Sequence, residues 1–203
     1  MSLTTWLALL GICLLGAMSP GPSLALVVRH TLGNGRVHGV AAAFGHGCGV
    51  GLYALATVQG LALVLTAQPW LFHLVTWCGA AYLFWLGVKS LRAGGGSVEL
   101  SAGARSLHAK NAVREGLIVA ASNPKLAVFF LALFSQFVSP GMIWLTKVQM
   151  VLTAALLDMG WYTLVACMLS HPPVLLALRR RMGWVNRTCG VLLLLLGVRV
   201  LTL

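Results

Sequence analysis

The fold of this chain is decided by positions 37–88, where 52 consecutive residues include no Asp, Glu, Lys or Arg: VHGVAAAFGHGCGVGLYALATVQGLALVLTAQPWLFHLVTWCGAAYLFWLGV. One helix of that length would measure about 78 Å, whereas the hydrocarbon core of a bilayer is about 30 Å thick. The run contains one natural break, the segment TAQPW at residues 66–70. We therefore predict two membrane-spanning helices, near residues 38–65 and 70–91.

The composition of all 203 residues also indicates a membrane protein rather than a soluble one. Hydrophobic residues make up 59% of the chain and charged residues 8%, against about 25% charged residues in typical soluble proteins. A net charge of +11 would suggest nucleic acid in a soluble domain, but here the basic residues lie in short stretches between apolar runs. That placement is typical of membrane proteins, so we predict a lipid bilayer environment and no nucleic-acid partner.

The remaining apolar runs predict four further spans. Residues 1–28 contain no Asp, Glu, Lys or Arg and form the first span. The fourth, fifth and sixth spans are predicted near residues 115–138, 143–169 and 184–203. We expect one transmembrane domain over residues 1–203, made of a first half at 1–91, a Gly-rich linker at 92–114 and a second half at 115–203.

The distribution of basic residues predicts the orientation of the chain. Eleven of the fourteen Lys and Arg residues fall in the loops after spans one, three and five. Loops rich in Lys and Arg remain on the cytoplasmic side of the membrane. We therefore predict that these three loops, including the 92–114 linker, are cytoplasmic and that both termini lie outside.

The two halves of the chain resemble each other. Span three contains Cys78-Gly79 followed by Leu86-Gly87-Val88, and span six contains Cys189-Gly190 followed by Leu196-Gly197-Val198. Spans one and four each contain an internal proline motif. Because each half has three spans, an odd number, the halves must run in opposite directions, as in many secondary transporters. The predicted fold class is all-α integral membrane, with six transmembrane helices arranged as two inverted three-helix repeats.

The proline motifs are Ser19-Pro20-Gly21-Pro22 in span one and Asn123-Pro124-Lys125 in span four. In each motif a helix-capping residue directly precedes a proline, which is typical of a helix start. Inside a span this predicts a half-helix whose free amides and positive dipole end suit a carboxylate. The alternative is a pair of ordinary proline kinks, which membrane helices tolerate. Because the motifs form a matched pair, we favour a substrate-binding site.

The motifs of this chain resemble those of the LysE/RhtB-type amino-acid exporters. The similar segments are the Ser-Pro-Gly-Pro motif, residues 45–50, residues 79–83 with Leu86-Gly87, residues 122–125 with Phe129-Phe130, Asp158 with Trp161-Tyr162, and Gly190 with residues 196–199. They cover the whole chain and are most similar to the threonine/homoserine efflux branch. The resemblance implies a transporter of the bacterial inner membrane, not an enzyme, with no cofactor.

Three side chains within the spans could carry charge during transport. Glu99 and Glu115 lie in or beside the linker, where we expect solvated charges, whereas Asp158 lies well inside the fifth span. Burying Asp158 costs about 2.5–3.5 kcal/mol on insertion scales, which indicates a compensating role. It could bind an ammonium group, carry a proton, pair with Lys125 or form an interhelical hydrogen bond. Lys125 could instead bind a substrate carboxylate or extend to the cytoplasmic face. His46 could relay protons or pack between its neighbouring glycines, and it lies in a span where many family members carry an acid.

The sequence therefore predicts an exporter of a small amino acid, threonine- or homoserine-like, working by proton antiport. Transport of another small solute or cation on the same scaffold is one alternative, and a membrane-embedded redox protein or enzyme is another. The five cysteines lack metal-ligand spacing, so we predict no metal site. The sequence leaves a homo-oligomer open.

The first prediction concerns orientation. Because the basic loops and the termini are expected on opposite sides of the membrane, reporter fusions at residue 100 and at the C-terminus should give opposite signals. Signals of the same kind from both fusions would contradict the six-span arrangement.

Overall fold

The computed structural model describes residues 1–92, 108–169 and 172–201, and this part of the chain is helical throughout. Its eight helices are α1 Leu3–Met18, α2 Pro22–Asn34, α3 Arg36–Ala67, α4 Pro69–Arg92, α5 Ala109–Ser122, α6 Pro124–Phe134, α7 Trp144–Leu169 and α8 Pro172–Leu201. Helices α3, α4 and α7 are each long and apolar enough to cross a membrane. They confirm the predicted spans at 38–65, 70–91 and 143–169.

Two further spans are each formed by a pair of helices with a sharp break between them. Helices α1 and α2 meet at an angle of 60°, and helices α5 and α6 meet at 59°. Each bend is much sharper than the gentle curvature of an ordinary long helix. The described chain thus has three spans, or five if each bent pair crosses the membrane as one. Residues 183–198 of α8 form a shorter apolar segment.

The helix starts at these breaks correct one part of the sequence prediction. Asn123 is the N-cap of α6 and Pro124 occupies its first turn, as predicted. Ser19, however, is the C-cap of α1, and α2 begins only at Pro22 with Gly21 as its N-cap. The second proline of the motif is the one that starts a helix, because its fixed φ and missing N–H suit the first helical position.

Two predicted loop boundaries were also wrong. The Arg179–Arg181 stretch belongs to the continuous helix α8, which begins at Pro172 rather than near residue 184. Prolines are tolerated in a first helical turn, and arginine is a good helix former, so the segment continues as helix. In the same way, α5 begins at Ala109, inside the predicted 92–114 linker. Residues 93–107 of that linker, with Glu99, lie outside the described residues.

Close backbone contacts hold α3 against its neighbours. A Cβ atom at Gly116 of α5 would overlap the carbonyl oxygen of Ala42, and one at Gly45 of α3 would overlap that of Val113. The two helices therefore approach each other through their glycines, as membrane helices commonly do. On its other side α3 packs against α7, where Gly47 lies under Met159.

A layer of buried polar residues separates two apolar clusters. The first cluster includes Leu9, Cys13, Val50, Ala154 and Phe130, and the second includes Leu24, Val27, Ala43, Tyr162 and Ala166. Along α3, α7 and the α1–α2 pair, the buried polar side chains fall between the members of these clusters: His46, Asp158 and Ser19. The fold thus brings both helix breaks and the intramembrane acid into one polar layer.

The close approach of α3 and α5 predicts a position-specific effect of adding a methyl group. Gly116→Ala should lower the free energy of unfolding by about 1–3 kcal/mol, because the backbone of α3 must move to admit the methyl group. Gly160→Ala is the matched control, since nothing lies within 4 Å of its added Cβ, and its effect should be neutral or stabilising by up to about 1 kcal/mol. Thermal unfolding in detergent measures both, and equal effects would contradict the packing described.

Candidate functional site

The two helix breaks meet at Lys125, in the first turn of α6. Its ammonium Nζ donates to the side-chain oxygen of Ser19 at 2.7 Å, to the Ser19 carbonyl oxygen at 3.0 Å and to the Pro20 carbonyl oxygen at 3.4 Å. A second link runs from Asn123 Nδ2 to Ser23 Oγ at 3.1 Å. The two proline motifs, which the sequence analysis treats as a matched pair, therefore lie in direct contact.

The carbonyl groups at the end of α1 are bonded by side chains from other helices. A helix leaves its last four carbonyls without intrahelical partners, and in a membrane such groups are costly unless bonded. The Ala17 carbonyl accepts from the Tyr162 hydroxyl of α7 at 3.1 Å, and the carbonyls of the break accept from Lys125. The negative dipole end of α1 thus faces a cation, which is the favourable arrangement.

The two helix N-termini at the site differ in how they are capped. In α6 the Asn123 side chain accepts from the Lys125 backbone N–H at 3.0 Å. In α2 the Gly21 N-cap has no side chain to do the same, and the first helical hydrogen bond runs from Ala25 N to Gly21 O. The backbone N–H groups of Ser23 and Leu24 come before that first bond, so they have no acceptor within the helix. The positive end of α2 is therefore the one suited to an incoming anion.

Asp158 is paired with His46 rather than with Lys125. Its Oδ2 lies 2.7 Å from His46 Nδ1, and both residues are buried, His46 completely. Of the alternatives that the sequence left open, the structure shows an interhelical hydrogen bond and not a pair with Lys125, because α3 places the imidazole directly against the carboxylate. The other ring nitrogen, His46 Nε2, is buried with no hydrogen-bond partner in the described part of the chain.

Tyr162 connects this acid–histidine pair to the end of α1, a role that the sequence analysis did not assign. It lies one helical turn after Asp158, so both side chains point from the same face of α7. Its ring packs edge-on against His46 with the ring centres 5.3 Å apart, while its hydroxyl bonds the Ala17 carbonyl. The four-residue spacing from Asp158 is the sequence feature that could have indicated this role, because residues four apart lie on the same face of a helix.

Glu115 also has partners that the sequence analysis missed. It was expected to be a solvated charge, but its carboxylate forms an ion pair with Arg29 and lies 3.0 Å from His30 Nε2. These contacts join the middle of α5 to the middle of α2, where the side chains of Arg29 and Glu115 are both partly exposed. The sequence separation of 86 residues between Arg29 and Glu115 hides the contact from any local pattern.

A separate cavity of about 340 Å³ lies at the ends of α3 and α7, away from the helix breaks. Lys147 donates to Gln59 at its edge, with Nζ 2.9 Å from Oε1.

Across the described residues, His, Cys, Asp and Glu side chains do not assemble into a group of three that could hold a metal ion. The polar chemistry within the spans is thus that of ammonium, hydroxyl, amide, carboxylate and imidazole groups.

Comparison with known proteins matches residues 14–203 to the LysE type translocators. The chain belongs to this family. The LysE-type relatives include a threonine efflux protein from Salmonella typhi, 28% identical over 189 residues that cover 91% of each chain. They also include a homoserine/homoserine lactone efflux protein from Salmonella typhimurium, 29% identical with 95% of this chain and 97% of the relative covered.

A threonine efflux protein from Escherichia coli is 26% identical to this LysE translocator over 187 residues, which cover 91% of each chain. No solved structure matches the chain. The family resemblance inferred from the proline and glycine motifs is confirmed, and the chain is a multi-pass membrane protein of a translocator family. The broken helices of this LysE translocator contain the motifs on which that inference rested.

The pairing of Asp158 predicts which side chain is energetically coupled to it. A double-mutant cycle of Asp158→Asn with His46→Gln should give a coupling energy of about 0.5–3 kcal/mol, because the two groups touch. The cycle of Asp158→Asn with Lys125→Gln should give a smaller coupling. Thermal unfolding of the purified variants measures both cycles, and a larger coupling with Lys125 would contradict the pairing seen here.

Proposed function

We propose that this protein exports a small amino acid, threonine- or homoserine-like, across the bacterial inner membrane in exchange for protons. The observation that carries the proposal is the joining of two broken helices through Lys125 within the membrane-spanning region. Such discontinuous helices present free backbone groups to small charged substrates in secondary transporters. The names of the threonine and homoserine efflux relatives support the same substrate class.

We infer six spans in two inverted repeats, with each bent pair and α8 counted as single spans. The bends of 60° and 59° fall in corresponding helices of the two halves, which supports the inference. So does the antiparallel packing of α4 on α8, since an added Cβ at Gly190 would lie 2.9 Å from the Gly87 carbonyl, and one at Gly197 would lie 3.4 Å from the Ala80 carbonyl. At both contacts a glycine of the second half meets the backbone of the first half.

We infer that both termini lie outside and that the 92–114 linker is cytoplasmic. Lys89 and Arg92 lie in the last turn of α4, which leads into the linker, and Lys110 and Arg114 lie in the first half of α5, where the linker ends. These basic groups therefore cluster on the side of the membrane where the linker lies. The positive-inside rule assigns that side to the cytoplasm.

The proposed substrate site lies where the two breaks meet. An amino acid is a zwitterion, so its site needs a partner for the carboxylate and another for the ammonium. The amides at the start of α2 and the Lys125 ammonium are the candidates for the carboxylate. The remaining residues of the two motifs would shape the site: Ser19, Pro20, Gly21, Pro22, Asn123 and Pro124.

The proposed proton carrier is Asp158, with His46 as its partner. A carboxylate buried beside an imidazole holds one proton between them readily, and such pairs occur in the proton relays of membrane pumps. Because the Asp158 carboxylate is already hydrogen-bonded to His46, proton carriage is favoured over ammonium binding for this acid. Each proton entering with the membrane potential supplies about 2.3 kcal/mol per 100 mV, which can drive export.

Export itself is tested by measuring efflux of radiolabelled amino acids from cells with and without the protein. We expect faster efflux of one or a few small hydroxylated or neutral amino acids, because the site offers few groups for a larger charged side chain. A panel in which no amino acid leaves faster would contradict the proposal.

The proton role of Asp158 predicts a loss of transport without a loss of fold. In Asp158→Asn the amide still bonds His46, so the protein should insert and unfold much as the parent does, while export falls to the level of cells lacking the protein. Glu115→Gln is the matched control, since it neutralises an acid outside the polar layer and should keep export. Parental export by a well-expressed Asp158→Asn variant would rule out Asp158 as the carrier.

A further inference from the structure

The contacts of Lys125 describe a binding site for an ammonium group. A primary ammonium has three N–H donors, and Lys125 Nζ has three oxygen acceptors within 3.4 Å, which are Ser19 Oγ, Ser19 O and Pro20 O. Two of the three are backbone carbonyls at the negative dipole end of α1. We call these three oxygens the ammonium cage.

Nothing in the ammonium cage is specific for lysine. Its three oxygens accept hydrogen bonds from Nζ, and carbonyl oxygens at a broken helix end can bind any cation that reaches them. The Ser19 side chain is buried, so the cage is shielded from bulk water. A free amino group of a substrate would meet the same three acceptors in the same low-dielectric setting.

The ammonium cage lies beside the anion-binding end of α2. The C-cap of α1 is Ser19 and the N-cap of α2 is Gly21, so opposite helix dipole ends are two residues apart. In an amino acid the ammonium and carboxylate are also close, since both are attached to one carbon atom. An added Cβ at Gly21 would lie 3.5 Å from Lys125 Nζ, so Gly21 borders the cage without filling it.

We propose that Lys125 occupies the substrate's ammonium subsite when the transporter is empty, and that the amino acid displaces it. The substrate ammonium takes the three cage oxygens, and the released Lys125 ammonium binds the substrate carboxylate beside the α2 amides. This inference rests on the proposed function and assigns the two charged ends of the same substrate. It moves the ammonium from Asp158 to the end of α1, leaving Asp158 with His46.

Displacement makes the site selective against ligands that carry an ammonium group but no carboxylate. An alkylammonium alone must compete with a tethered lysine, whose effective concentration at the cage is high. An amino acid meets the same competition, but its carboxylate gives Lys125 a new partner. Lys125 is thus a specificity residue that favours zwitterions over simple amines.

The first test removes the tethered ammonium. In Lys125→Met the cage is open, and the affinity of the purified full-length protein for propylammonium should rise by about tenfold or more, while amino-acid affinity should not rise with it. Lys147→Met is the matched control, because that lysine bonds Gln59 away from the breaks, and it should behave as the parent. A folded Lys125→Met variant with unchanged propylammonium affinity would overturn the proposal.

The second test uses the parent protein and does not depend on any variant folding. Propylammonium and propionate, titrated together, should each raise the affinity for the other, because the carboxylate draws Lys125 out of the cage. Independent binding of the two ions, in a protein that binds the amino acid, would overturn the displacement. Failure to bind or export any amino acid would instead contradict the proposed function, so the two failures are distinguishable.

Discussion

An ammonium held by the carbonyls of a broken helix is the interaction on which the rest of this structure depends. Helix α1 ends inside the spanning region, where unbonded carbonyl groups are costly. Lys125 reaches these groups from α6, and Asn123 bonds Ser23 on the other side of the break. Each break is therefore stabilised by residues of the other half, and neither could persist alone at the same cost.

The small residues of α3 make this meeting of the breaks geometrically possible. Glycines at 45 and 116 let α3 and α5 approach until their backbones touch, and α5 leads directly into the break before α6. On the other side of α3, His46 lies against Asp158 of α7. A larger residue on one face of α3 would therefore displace the α5–α6 break, and a larger residue on the other face would displace Asp158. In both cases the residues of the site would keep their identity but lose their positions.

Much of the fold could be predicted from the sequence because the bilayer limits what a long apolar run can do. The spans of α3, α4 and α7, and the helix start at Pro124, follow from length and proline chemistry alone. The role of Ser19 could not be predicted, since a capping residue before proline suits either end of a break. The partners of Asp158 and Glu115 depend on how distant helices pack, and no local pattern reports a contact between residues 46 and 158.

The polar layer between the two apolar clusters has a mechanical consequence. Within each cluster the side chains interdigitate, so sliding one part past another would open voids and is resisted. Helices α3 and α7 cross this layer without a break, whereas the α1–α2 and α5–α6 pairs are both interrupted in it. The links between the two interruptions are hydrogen bonds from single groups such as Lys125 and Asn123, which water or a charged ligand can replace one at a time. The continuous helices therefore hold the two apolar clusters in place, while the broken pairs are the part of the molecule that bends most easily.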